Sequence, residues 1–156
     1  MELYLFNPDS DLALANNEAN YIAPASARRM AQDMALLPIW YAAPGSAVLA
    51  PSAYNADFLK RMRELFGLQV QLATGPELPD YAEARIVPWG WNPAIRRFFL
   101  KGGVREDRLP SPQLLAEYRL LSSRLQAVAV TRCMVDRYPE CTCGEHTLLN
   151  LSLIHI

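Results

Sequence analysis

The sequence predicts a layered α/β domain with a largely parallel sheet. Short apolar runs and amphipathic helical stretches alternate from Glu2 to Gly103, and Pro or Asn marks helix starts while Gly marks helix ends. The composition, 51% hydrophobic and 20% charged, is that of an ordinary globular protein.

The elements follow in order. "ELYLF" (Glu2 to Phe6) is an apolar run stopped by "NPDSD", the form of a buried strand feeding a loop. In "APASARRMAQDMALLP", Pro24 suits a helix start and Ala27, Met30, Ala31, Met34 and Leu37 recur at helical spacing, with Pro38 at or beyond the end. "SAVLA" (Ser46 to Ala50) reads as a second strand. "SAYNADFLKRMRELFG" reads as a helix with Phe58, Met62, Leu65 and Phe66 on one face and Gly67 at its C-cap. "LQVQLATG" and "EARIVPWG" supply two further strands. "NPAIRRFFLKGG" follows, with Asn92 as cap, Pro93 in the first helical position and Gly102 and Gly103 as the stop.

"REDRLPSP" (Arg105 to Pro112) is polar and interrupted by proline, and it predicts a boundary between a domain of residues 1–110 and a second segment, 111–150. In that segment "QLLAEYRLLSSRLQAVAVTRCMVDRYPE" reads as a helical pair jointed near Ser122 and Ser123, and "CTCGEHTLLN" as a short strand or turn. No internal repeat or low-complexity stretch occurs.

Composition excludes some function classes. The formal net charge is -1, from 15 basic and 16 acidic residues, without a run of Lys or Arg, so neither nucleic acid nor an anionic membrane is an expected partner. Met34 to Ala56 is uncharged, but Pro38, Pro44, Gly45 and Pro51 interrupt it as a membrane span. The start "MELYLF" lacks the basic region of a secretory signal, and three cysteines near the end suit a reducing compartment, so a cytoplasmic location is expected.

Two stretches carry candidate binding chemistry. In an open α/β sheet, ligands bind beyond the carboxyl ends of the strands, and "NPDSDLALANNEANY" leaves the end of the first. It offers Asn7, Asp9, Asp11, Asn16, Asn17 and Asn20 to a polar substrate: amides donate and accept, and carboxylates hold an amine or position a cation. The alternative is local, with Asn and Asp stabilising turns and Asp11 capping one. At the end of the fourth strand, "VPWGWNPAIRRFF" offers Trp89 and Trp91 as flat walls around Gly90. A helix N-terminus there could meet an anion, with Arg96 and Arg97 beyond it; core indoles and solvated arginines are the alternative.

A third stretch, "CTCGEH", puts Cys141, Cys143 and His146 together, but a structural zinc site needs four ligands and no second pair is present, so no metal site is expected. No GxxxxGK, GxGxxG or GxSxG sequence occurs. No catalytic residue is assigned.

Taken together, "LYLFNPDSDLALANN", "PASARRMAQDMALLPIWYA", "VPWGWNPAIRRFFLKGGV" and "LLSSR" resemble a family of bacterial, Bacteroidetes-type ATP-grasp proteins, mostly uncharacterised. The resemblance implies that residues 1–110 are a Rossmann-like pre-ATP-grasp domain and 111–150 the helical start of an incomplete ATP-grasp domain. It further implies an ATP-dependent ligase that activates a carboxylate as an acyl phosphate, with Asn7, Asp9, Asp11, Asn16, Asn17, Trp89 and Trp91 on the small-molecule substrate side. ATP and magnesium would be cofactors of the full-length protein and neither of this fragment, which would be inactive alone. A non-catalytic α/β module that binds a metabolite or a partner chain is the alternative. A segment built to pack on a further domain would expose apolar surface and favour self-association.

The last six residues, "LSLIHI" (151–156), can be spelled CTG TCT CTT ATA CAC ATC, which looks like a transposase adapter used in sequencing libraries. They are expected to be an artefact of a truncated reading frame; a natural apolar tail is the alternative.

Overall fold

The computed structural model describes residues 1–138. They fall in two compact units, Met1–Ser111 and a second beginning at Pro112. The first is an α/β unit around a four-stranded sheet in the order β3-β2-β1-β4, with every pairing parallel. The strands are β1 (Glu2–Leu5), β2 (Ser46–Ala50), β3 (Val70–Thr74) and β4 (Arg85–Pro88).

Burial follows from position in that order. Every residue of β2 is buried, which is why "SAVLA" is an unbroken run of small and apolar residues: a parallel strand covered on both faces has no solvent side. On the edge strands β3 and β4, Gln71 and Arg85 are exposed. The register places Leu3 beside Ala47 and Tyr4 beside Val48, so alternate residues feed two cores. One face packs Leu3, Leu49 and Ile86 against Leu78, Phe99 and Val104. The other packs Tyr4, Val48 and Val70 against Leu36, Ile39 and Leu59.

The helices of this unit are α1 (Ser10–Asn16), α2 (Ala25–Asp33), α3 (Ala56–Phe66) and α4 (Pro93–Lys101). Three details depart from the sequence-based expectation. Half of the loop expected after β1 is α1, because "LALA" favours a helix and lets Ala13 and Leu14 bury. The helix expected through Leu37 ends at Asp33, and α2 buries none of its own residues; the core on that side is filled by Ala35, Leu36, Pro38 and Ile39, partly from a 3-10 turn at Leu37–Trp40. On α3 the inward residue is Leu59, while Phe58, Leu65 and Phe66 are exposed. At about 100° per residue, Phe58 and Leu65 lie a quarter turn or more away from the Leu59 line.

Several caps form where residue types imply them, although Asp9 and Asn55 stand at the N-caps of α1 and α3 without a side-chain cap bond. Gly67 ends α3 with φ 65°, a left-handed conformation in which its amide reaches the Arg63 carbonyl at 2.9 Å. The polar connection expected at Arg105 to Pro112 is tied down. Arg105 bonds Asp107 and Glu83, Arg108 bonds Glu83, and Arg96 bonds both Glu106 and the Pro110 carbonyl. Val104 and Leu109 bury beneath it.

The second unit contains α5 (Pro112–Leu121) and α6 (Arg124–Arg137). They are jointed at Ser122 and Ser123, where the Ser123 hydroxyl accepts from the Gln126 amide and caps α6. The "CTCGEH" stretch and residues 151–156 lie outside the described residues. Among the described residues no helix is long and apolar enough to cross a membrane.

Candidate functional site

The chain runs from β1 outward through β2 to β3 on one side and then crosses to place β4 on the other side of β1. A parallel sheet opens a crevice at such a reversal, beyond the carboxyl ends of the two strands that flank it. Here those ends are the β1 loop from Phe6 to Asp9 and the β4 loop from Trp89 to Asn92.

Asn7 locks the two loops together. Its side-chain amide donates to the Gly90 carbonyl at 2.8 Å, and its side-chain carbonyl accepts from the Gly90 amide at 3.2 Å. The Trp89 amide also donates to the Leu5 carbonyl at 2.8 Å, so the β4 loop leaves the sheet still attached to β1. Gly90 is required by the closeness of α1: a Cβ at that position would lie 2.5 Å from Ser10 Cβ and 2.7 Å from its Oγ. Asn7 and Ser10 are buried polar residues at this junction.

The seven site residues expected from sequence separate into groups. Asn7 and Asp9 lie at the β1 end, Asn7 buried and committed to the brace, Asp9 half-buried at the N-cap of α1 without a side-chain cap bond. Asp11 is exposed in the first turn of α1. Asn16 and Asn17 are exposed at its far end, Asn17 as a left-handed C-cap with φ 61°. Because α1 rises about 1.5 Å per residue, it carries Asn16 and Asn17 away from the strand end rather than gathering them there.

The two indoles do not wall one pocket. Trp91 packs with the core on one face of the sheet, its ring edge-on to Phe99 at 6.2 Å. Trp89 goes to the other face, where it meets Phe6 at 5.5 Å and Tyr41 at 6.5 Å and is 56% exposed. Tyr41 in turn meets Tyr4 at 5.8 Å. The phenol of Tyr4 is held above its usual range, first by its 2.6 Å hydrogen bond to Glu2 and then by burial.

The N-terminus of α4 has little left for an anion. Asn92 is buried, its side chain accepts from the Ile95 amide at 3.0 Å and its carbonyl from the Arg96 amide at 3.0 Å, while Pro93 has no N–H. Arg96, expected to lend positive charge here, is held by Pro110 and Glu106 instead.

Sequence reasoning missed Phe6, Ser10, Tyr21, Tyr41 and the reason for Gly90. Tyr21 lies in the quoted first stretch, and its hydroxyl is shielded from solvent without a hydrogen-bond partner among the described residues. Gly between two Trp was a usable signal for close backbone approach. Nothing local marks Tyr41, which arrives beside Trp89 through the turn after α2.

Comparison with protein-family models, with curated proteins and with solved structures finds no match to this chain.

Proposed function

We propose that this α/β unit binds a small polar molecule in the crevice beyond β1 and β4, as the substrate-side domain of an ATP-dependent ligase of the ATP-grasp type. The observation that carries the binding part is the brace between Asn7 and Gly90 at the point where strand order reverses, with the exposed ring of Trp89 beside it. Small-molecule sites combine apolar and aromatic surface with a few placed polar groups, and this junction offers groups of both kinds. The ligase part rests on the resemblance of the quoted sequence blocks, which the α/β unit with its parallel sheet is compatible with.

ATP and magnesium, implied by that resemblance, do not fit the described residues. No group of three His, Cys, Asp or Glu residues among them could hold a metal ion. The donors at the start of α4 are mostly taken, and no phosphate-cradling glycine loop with a following lysine is present. The reading therefore gives this chain binding and orientation of the substrate, and routes no chemical step through either group. Equilibrium dialysis of magnesium ATP against the whole chain tests it. No stoichiometric binding is expected, and tight uptake of one nucleotide per chain would overturn the division of labour.

A second reading, a non-catalytic module that docks a partner chain, is favoured by the exposed residues Phe58, Leu65 and Phe66 on α3 and by Trp40, whose ring meets Phe66 at 5.3 Å.

A further inference from the structure

We propose that α3 and the aromatic side chains at its two ends form a self-complementary surface on which a second copy of this chain docks, helix against antiparallel helix, about a two-fold axis between Arg61 and Met62. The crevice beyond β1 and β4 plays no part in it.

The inward side of α3 is spent on Leu59 and Met62, which pack in the core. Phe58 and Leu65, seven residues apart, share one line along the helix, and both are exposed. At the end of the helix, Phe66 and Trp40 meet edge to face at 5.3 Å, and both remain exposed. At its start, in the 3-10 turn Ala53–Asn55, Tyr54 is 90% exposed. With about 150–250 Å² for a whole aromatic side chain and roughly half of each open, these five leave on the order of 500 Å² of apolar surface. That is near the top of the range of about 300–600 Å² for the largest patch of a monomer. A standard interface takes about 800 Å² from each partner, roughly 55–65% of it apolar, so the face matches the apolar part of one such interface.

What fits the face is the face itself. A two-fold interface makes every contact twice with the same two residues. With the axis between Arg61 and Met62, Phe58 and the partner's Leu65 are equally far from it and stand side by side. Tyr54 comes within one helical turn of the partner's Phe66, where its ring can cover Phe66 and Trp40. Arg61 and Glu64 are exposed on the same flank of the Phe58 and Leu65 line, and neither has an ion-pair partner among the described residues. In this register Arg61 lies about 3 Å along the axis from the partner's Glu64, a pairing that occurs twice. The two Arg61 also approach each other at the axis, each between its own Glu64 and the partner's. The formal net charge of -1 leaves little general repulsion between copies.

Sedimentation equilibrium of the whole chain between about 1 and 100 μM tests this, since interfaces of standard size hold at about μM or tighter. A monomer to dimer equilibrium is expected. Leu65→Arg, Arg61→Glu and Glu64→Arg should each weaken it about tenfold or more, by burying an unmatched charge or by setting like charges opposite each other. All three side chains are exposed, so thermal melting of dilute samples should stay unchanged. An equimolar mixture of Arg61→Glu and Glu64→Arg chains should pair more tightly than either alone, because one carries only acid and the other only base at these two positions. A chain that remains monomeric at about 100 μM overturns the proposal and leaves the face to a different protein. Association that ignores Leu65→Arg puts the contact elsewhere in the chain, and a mixture that pairs no better than its components removes the antiparallel register; either result overturns it.

Discussion

At the scale of single residues, Asn7 acts as a piece of backbone. Its amide presents one donor and one acceptor to Gly90, as a neighbouring strand would, and so extends the pairing of β1 with β4 past their last residues. Asn7→Ala leaves both Gly90 groups unpaired near a buried junction and is expected to cost about 1–3 kcal/mol in urea denaturation. Asn7→Asp should not rescue it, because a carboxylate cannot donate to the Gly90 carbonyl. Unchanged stability in Asn7→Asp would show that the bond to the Gly90 carbonyl contributes nothing, since the carboxylate still accepts from the Gly90 amide. Gly90→Ala tests the other partner: the methyl group would drive into Ser10, and overpacking of this kind costs about 1–3 kcal/mol. Both residues were visible in the sequence as polar or small residues after strands. Their mutual bonding was not, because it joins loops far apart in the chain.

At the scale of elements, the sequence reading succeeded where a signal is local and failed where it depends on phase. Asn92 followed by Pro93 is a complete start signal within four residues, and the cap bond to Ile95 is there. Asn92→Ala should cost about 0.5–2 kcal/mol, toward the upper end because the side chain is buried. The strands were legible for the same reason, since β2 declares its double burial by having no polar side chain larger than Ser46. For α3, periodicity marked a helix but left open which side faces the sheet. Phe58, Met62, Leu65 and Phe66 make a plausible stripe, yet of these Met62 packs against the core, beside an inward Leu59, while Phe58, Leu65 and Phe66 are exposed. Leu59→Ala is therefore expected to cost about 2–5 kcal/mol, and Phe58→Ala to stay within about 0.5 kcal/mol. Comparable losses at the two positions, measured by thermal or urea unfolding, would mean that the helix is rotated from this description. The split of Trp89 and Trp91 onto opposite faces is a failure of the same kind, because residue type says that an indole wants a surface but not which one.

At the scale of the whole molecule, the phenols connect both cores to pH. Tyr4 belongs to the core on one face, held above the ordinary phenol value first by its hydrogen bond to Glu2 and then by burial. Tyr81 belongs to the other core, raised first by burial and then by the charges of Glu77 and Asp80. Tyr21 is raised by burial and then by Asp9. In each case the folded state holds the phenolic proton more tightly than the unfolded chain, whose phenols titrate near pH 10. The sign follows from proton counting. Below about pH 10 both states keep the proton and the stabilising contribution is fully present; as pH rises through the higher folded values, the unfolded state binds fewer protons and stability falls. Urea denaturation at about pH 8 and about pH 11 should therefore show a lower midpoint at the alkaline end, with the ultraviolet phenolate signal rising as the chain unfolds. Tyr4→Phe and Tyr81→Phe should each shallow the decline, because each removes one linked group, and they should do so independently because the sheet separates them. A midpoint that does not move over that range would mean that these phenols titrate as freely in the fold as outside it.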